Sequence, residues 1–218
     1  MVISESKPME EILASLAGHQ SVFLVGCSEC ASVCQVGGED QLKQMAVQLE
    51  ASGKKVAGML VAEPGCHQLK VKQDLRKQKE EVDGADCLLV MSCGNGVQTA
   101  AAVSAKPVHG ATNTLFIGSV RRFGEFEEFC SACGDCLLDQ TANICPITRC
   151  SKHLLNGPCG GTTAEGKCEV DAERDCAWML IYKSMGEQGR LDNLIPFVEV
   201  RDSKPRPRAL AVGKKEES

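Results

Sequence analysis

Several common features are missing from this sequence of 218 residues. No stretch approaches the roughly 18 consecutive apolar residues of a membrane-spanning helix, so we expect no membrane insertion. Basic residues do not outnumber acidic ones (24 against 29, net charge −5), which argues against a nucleic-acid partner. The first residues contain no apolar core of a secretory signal. We therefore expect a cytoplasmic protein whose thiols stay reduced.

The usual signatures of substrate chemistry are also missing. No Ser-His-Asp arrangement can be placed. The segment Cys93-Gly-Asn-Gly96 is only superficially similar to a dinucleotide-binding turn, because Thr99 occupies the position of the third glycine. We therefore predict neither nucleotide binding nor acid–base catalysis by this chain.

Cysteine is the residue that the sequence has in excess, with 14 copies. A chain of this length with 43% apolar residues can bury a hydrophobic core, so it does not need disulfides as a substitute. Reduced thiols at this density indicate metal ligands or redox groups. Six of them lie between residues 27 and 93, and eight lie between residues 130 and 176.

The amino-terminal part predicts an α/β fold. Short apolar runs that suit buried parallel strands alternate with helical patterns, and they cover residues 21–26, 55–62, 86–92 and 115–118. Crossovers of this length predict a doubly wound parallel sheet of the Rossmann-like or flavodoxin-like kind, over residues 1–122.

The remaining chain predicts a small domain and a tail. Residues 123–200 are rich in cysteine, glycine and proline, with one clear helical pattern at 172–185. Because the segment before that helix has few large apolar residues, a metal is its natural core, and we predict an iron–sulfur domain. The composition of residues 201–218 is that of a disordered tail.

A tight cysteine motif opens this domain. Cys130, Cys133 and Cys136 form C-x2-C-x2-C, and Cys145-Pro146 follows. Bacterial ferredoxins hold 4Fe-4S clusters with this spacing, whereas zinc is usually held by two separated pairs. The gap before Cys-Pro is eight residues here instead of three, so the fourth ligand stays open.

Four further cysteines form, together with Cys145, a pool large enough for a second 4Fe-4S cluster: Cys150, Cys159, Cys168 and Cys176. Their spacing is not diagnostic, so one zinc site with spare buried cysteines is the alternative. The order of the eight thiols cannot assign them to two clusters, since in two-cluster ferredoxins the Cys-Pro ligand of one motif serves the other cluster.

A third group follows the predicted strand ends. Carboxyl ends of parallel strands share one edge of a sheet, so we expect five thiols to converge there: Cys27, Cys30, Cys34, Cys66 and Cys93. A third metal centre (iron–sulfur or zinc) or a redox-active thiol cluster is the hypothesis. The alternative is a set of reduced thiols that line a partner interface.

One remaining cysteine and the four histidines are weaker candidates for a site. Cys87 lies inside the third predicted strand, and we expect it to be a core residue. His67 stands beside Cys66 and can act as a ligand, but His19, His109 and His153 have no partner at metal-binding spacing.

These motifs carry a resemblance to a known family. The segments around Cys27, Cys93 and Cys130–Cys176 are similar to those of the small iron–sulfur subunit of the bacterial methylenetetrahydrofolate reductase complex of acetogens and related anaerobes. The last segment resembles the cysteine-rich carboxyl-terminal domain named for this reductase.

The resemblance implies a heteromeric complex. Its catalytic partner is a TIM-barrel subunit that holds FMN and reduces 5,10-methylenetetrahydrofolate to 5-methyltetrahydrofolate, and an upstream protein donates electrons. This chain then passes electrons to the flavin without itself being catalytic. Two alternatives remain: a structural zinc scaffold of the same complex, and a thiol-based redox sensor.

Overall fold

The computed structural model describes residues 1–199, and the chain divides into two compact units, with the division between Ala132 and Cys133. The tail predicted at 201–218 lies outside the described residues. Within residues 1–199, no helix is long and apolar enough to cross a membrane.

The first unit is a mixed α/β structure. Its strands are β1 (Val2–Ser6), β2 (Ser21–Cys27), β3 (Lys55–Ala62), β4 (Cys87–Val90), β5 (Val108–Gly110), β6 (Thr112–Arg122) and β7 (Glu125–Cys130). Its helices are α1 (Met9–Ser15), α2 (Cys30–Val33), α3 (Glu39–Ala51), α4 (Gln68–Lys77), α5 (Lys79–Asp83) and α6 (Gly94–Val103).

A four-stranded parallel sheet with the order β3-β2-β4-β5 is the centre of this unit. The strand β2 is apolar along nearly its whole length and is buried from Val22 to Cys27, as expected for a central strand covered on both faces. Helices α1 and α3 pack on one face of the sheet, and α4 and α6 pack on the other. The predicted parallel sheet is thereby confirmed.

The helix α3 shows how the pattern produces the packing. Leu42, Met45, Ala46 and Leu49 recur at helical spacing, and all four are buried against the sheet. At its start, the Gln41 side chain accepts a hydrogen bond of 3.1 Å from the Gly38 backbone N–H, which satisfies one donor of the helix terminus.

The prediction that residues 115–118 form the fourth strand of the parallel sheet was wrong. Residues 115–118 lie in β6, which pairs antiparallel with β1 and β7 in a separate three-stranded sheet of order β1-β6-β7. The fourth parallel strand is instead β5, which is three residues long and follows Pro107. The first unit therefore contains two sheets where the sequence predicts one.

The division predicted after residue 122 stays a prediction. That residue ends β6, and β7 continues the antiparallel pairing to Cys130, so the first compact unit extends to Ala132.

The second unit has little regular structure before its main helix. It contains the short α7 (Pro146–Arg149), α8 (Ala177–Glu187), and two turns of 3-10 helix at Leu138–Gln140 and Leu191–Leu194. The predicted helix at 172–185 begins five residues late, because Lys167 and Asp175 pair as an isolated β-bridge that holds the preceding residues in a turn. Four residues of α8 are buried: Ala177, Trp178, Ile181 and Met185.

Candidate metal centres

Four cysteines of the second unit surround one small cavity. They are Cys150, Cys159, Cys168 and Cys176, the same four that follow Cys145 in the sequence. The cavity measures about 20 Å³, which is room for roughly one water-sized sphere. Four thiols that line one cavity are a donor set of the kind that metal ions and iron–sulfur clusters use.

Hydrogen-bond donors stand next to these sulfurs. The Thr162 hydroxyl donates to Cys176 Sγ at 3.2 Å, and Ser151 Oγ lies 3.9 Å from Cys168 Sγ. The pKa of Cys168 is lowered, chiefly by the hydrogen bond from the Val170 backbone. Donors of this kind favour the thiolate, which is the form that binds metals.

Charged groups border the same cavity. Lys152 forms an ion pair with Glu169, and the Cys159 thiol donates to Glu169 Oε1 at 3.4 Å. A metal bound here would take Cys159 as thiolate, so this hydrogen bond to Glu169 would have to break.

Cys176 joins the cavity to the unit's hydrophobic core. It caps α8 and packs in one cluster with Trp178 and Ile181. The indole Nε1–H of Trp178 donates to the backbone oxygen of Leu154 at 3.0 Å, so the ring is fixed in place. The ring is thus a structural wall of the cavity.

The C-x2-C-x2-C motif lies where the two units meet along the chain. Cys130 ends β7 in the first unit, is exposed, and accepts the Ala132 backbone N–H at 3.3 Å. Cys133 and Cys136 belong to the second unit, and the Cys133 thiol donates to the Asp135 carbonyl at 3.6 Å. Assignment of these three to one cluster stays a prediction.

Cys145 caps α7, where Pro146 takes the first helical position. It is not among the residues that line the four-cysteine cavity. The cavity lining does not assign Cys145 to either cysteine set, so its role stays a prediction.

The strand-edge cysteines lie around the carboxyl ends of β2, β3 and β4. Cys27 is the last residue of β2, and its sulfur accepts the Gly65 backbone N–H at 3.4 Å. Cys30 starts α2 and accepts the Val2 backbone N–H at 3.4 Å. Cys93 is buried and caps α6.

These thiols influence one another electrostatically. Burial raises the pKa of Cys66, and the nearby Cys27, Cys93 and Cys30 raise it further. Burial also raises the pKa of Cys34, with smaller contributions from Cys30 and Cys93. Because like charges in one place oppose a second ionisation, a cation would relieve the group. Its role as a metal centre stays a prediction.

The loop that carries Cys30 and Cys34 is packed closely enough to fix their position. A Cβ atom on Gly37 would lie 1.8 Å from the backbone oxygen of Met91, and one on Gly26 would lie 2.3 Å from the backbone oxygen of Gly37. Glycine is therefore required at both positions for the loop to approach the sheet this closely.

The structure also brings together a group that the sequence did not predict. His19, Cys87 and His109 each place one donor atom within 4.8 Å of the other two. Among residues 1–199, this is the one set of three His, Cys, Asp or Glu ligand atoms that meets this distance. A zinc ion with sulfur bonds of about 2.3 Å would hold its sulfurs about 3.8 Å apart. The described cysteine groups are thus more widely spaced than a closed zinc site.

The abundance of cysteine and these groups fit a metal-binding protein. Residues 109–204 match the family model described as methylene-tetrahydrofolate reductase C terminal. The matched segment is less than half of the chain and contains all eight cysteines from Cys130 to Cys176. It supports a relationship to methylenetetrahydrofolate reductase, an oxidoreductase. No curated protein and no solved structure matches the chain significantly.

Proposed function

We propose that this chain is the electron-transfer iron–sulfur subunit of a cytoplasmic methylenetetrahydrofolate reductase complex. The observation that carries the proposal is the family match over 109–204, because that segment contains the four cysteines that surround one cavity. The amino-terminal unit then has the doubly wound, Rossmann-like fold, and the second unit is the iron–sulfur domain.

The eight cysteines from Cys130 to Cys176 are assigned to two clusters. Cys150, Cys159, Cys168 and Cys176 hold one 4Fe-4S cluster, and Cys130, Cys133 and Cys136 hold most of a second one, with Cys145 as a candidate for its fourth ligand. Such clusters supply one-electron transfer. Donors near sulfur, such as the Thr162 hydroxyl, stabilise the thiolate and tune the reduction potential.

The proposed partners follow from the same assignment. A TIM-barrel subunit with FMN accepts the electrons and reduces 5,10-methylenetetrahydrofolate to 5-methyltetrahydrofolate, and an upstream electron donor reduces this chain. The chain itself needs no residue for acid–base chemistry on the folate, since its task ends at the flavin.

Metal content of the anaerobically purified complex tests the cavity. We expect Cys168→Ser to lose about four of roughly eight irons per chain, because it removes one ligand of one cluster. The matched control is Ser151→Ala, which changes a neighbour of Cys168 Sγ but keeps every thiol, and it should retain the iron. Equal iron in Cys168→Ser and wild type would remove this cavity from the proposal.

Electron delivery tests the second cluster. Cys133→Ser should abolish one electron paramagnetic resonance signal and slow reduction of the partner's flavin, whereas Ser131→Ala should preserve both. If flavin reduction by the donor is unchanged in Cys133→Ser, that cluster is not on the electron path.

A structural zinc scaffold is the second candidate. A single ion needs less space than four irons and four sulfides, so the small four-cysteine cavity favours it, and the thiols would have to move closer together to bind that ion. A colourless protein with stoichiometric zinc and no iron, after expression with ample iron and sulfide, would establish this candidate and exclude electron transfer.

A further inference from the structure

A compact group of three metal-binding side chains lies in the first unit, away from the strand-edge cysteines. Cys87 is the first residue of β4, whereas Cys93 follows the carboxyl end of the same strand. The group therefore belongs to the opposite end of β4. It is independent of the proposed electron-transfer function, because none of its residues is in the cysteine sets assigned above.

Three separate elements supply the donors. His19 lies in the turn between α1 and β2, Cys87 starts β4, and His109 is in β5, where it pairs with Leu89. Because side chains alternate between faces along a strand, Cys87 and Leu89 share one face of the sheet, and His109 is on that face too. One donor atom from each side chain lies within 4.8 Å of the other two.

Two of the three donors in this group are withdrawn from solvent. Cys87 is fully buried, and Nε2 of the half-buried His109 has no hydrogen-bond partner within the described residues. A buried polar atom without a partner is costly and uncommon in native structures. A cation bound by Cys87 and the two histidines would give this nitrogen a partner.

The two imidazoles are arranged side by side. Their ring centroids are 5.1 Å apart with an interplanar angle of 61°, so one ring meets the edge of the other. Burial lowers the pKa of His109, with His19 contributing, and the neutral imidazole that results is the form that binds metals.

The turn that carries His19 is anchored independently of its imidazole. The Lys54 ammonium donates to the backbone oxygens of Leu16 at 3.0 Å and of His19 at 2.7 Å. The Asp86 carboxylate accepts the backbone N–H groups of Gln20 and Ser21 at 2.7 and 2.8 Å. One positive and one negative side chain thus hold the turn, and replacing the His19 side chain leaves both anchors intact.

We propose that His19, Cys87 and His109 bind a single zinc ion. On binding, the Cys87 thiol releases its proton to solvent, and one thiolate with two imidazoles then matches the ligand preference of zinc and leaves a fourth position for water. Tetrahedral zinc would hold these donors about 3.5 Å apart, so donors separated by as much as 4.8 Å need only small side-chain movements to reach it. The ion would join β4, β5 and the α1–β2 turn at the amino-terminal end of the parallel sheet.

The test must separate this site from the many cysteines elsewhere. The full chain is purified under anaerobic conditions with whatever metal it already holds, and then it is given zinc alone. X-ray absorption at the zinc edge should show two imidazole ligands and one sulfur ligand per zinc ion. A signal from sulfur only, or no bound zinc, would overturn the proposal.

Single substitutions assign the ligands. His19→Gln and His109→Gln should each weaken zinc binding by about 100-fold or more in competition with a chelator, because each removes a direct ligand. The matched control is His153→Gln, which removes a histidine of the second unit and should leave the affinity unchanged. Unchanged affinity in His19→Gln or His109→Gln would contradict the assignment. Cys87→Ser removes the third ligand, but Cys87 is fully buried and this variant can fail to fold. His19 lies in a partly exposed turn, so His19→Gln tests the site even in that case.

Discussion

The hydrophobic core of the second unit is small, so its central residue should dominate the stability of that unit. Ile181 is fully buried on α8, in a cluster whose other buried members are Ala142, Cys176, Trp178 and Met185. Ile181→Ala removes three carbons, which is about 2.4 kcal/mol at roughly 0.8 kcal/mol for each buried methylene. The cavity that is left adds to this cost, so we expect a loss of about 3 kcal/mol in unfolding free energy.

The assay is urea unfolding of the protein as purified under anaerobic conditions, followed by tryptophan fluorescence. Trp178 is the single tryptophan of the chain and lies in the same cluster, so its emission reports on this core. The matched control is Met179→Ala on the same helix, where the side chain is 43% exposed and the expected loss is about 0.5 kcal/mol. Similar losses in both variants would refute the conclusion that the unit packs around Ile181.

Two further changes test the first unit. Gly37→Ala should prevent the strand-edge loop from packing, because its Cβ would lie 1.8 Å from the Met91 backbone oxygen, and the midpoint of thermal unfolding should fall by several degrees. The control is Gly18→Ala, where nothing lies within 4 Å of the added Cβ and only backbone strain is added, so its midpoint should fall less. Asp74→Asn should lose about 0.5 kcal/mol at pH 7 in urea unfolding, since the bond from Lys77 lowers the pKa of Asp74. That contribution is complete above the unfolded pKa of about 3.9 and disappears as the pH falls through the lower folded pKa, so a difference that persists at pH 2 would contradict it.

Elements with strong local patterns could be predicted from the sequence. The apolar run of β2 and the helical stripe of α3 determine their own structure, because each buries a continuous set of side chains. The convergence of the strand-edge cysteines followed from those elements, since the ends of parallel strands meet at one edge.

Elements whose partners are distant in the chain could not be predicted. The five residues of β1 form a strand by pairing with β6, where Val2 is opposite Ile117. No pattern within those five residues predicts that pairing. The same holds for the start of α8, where the bridge between Lys167 and Asp175 overrides the helical pattern predicted for residues 172–176.

Burial alone does not tell a ligand cysteine from a core cysteine in this protein. Cys176 and Cys87 are both buried in hydrophobic clusters, so exposure would class both as packing residues. Their surroundings differ from those of an ordinary core thiol: Cys176 borders a cavity with three other thiols, and Cys87 has two imidazoles within 4.8 Å. Since a lone buried thiol behaves as a small apolar group, the neighbouring donors decide its chemistry. Those donors come from separate elements, and for this reason only the folded chain reveals them.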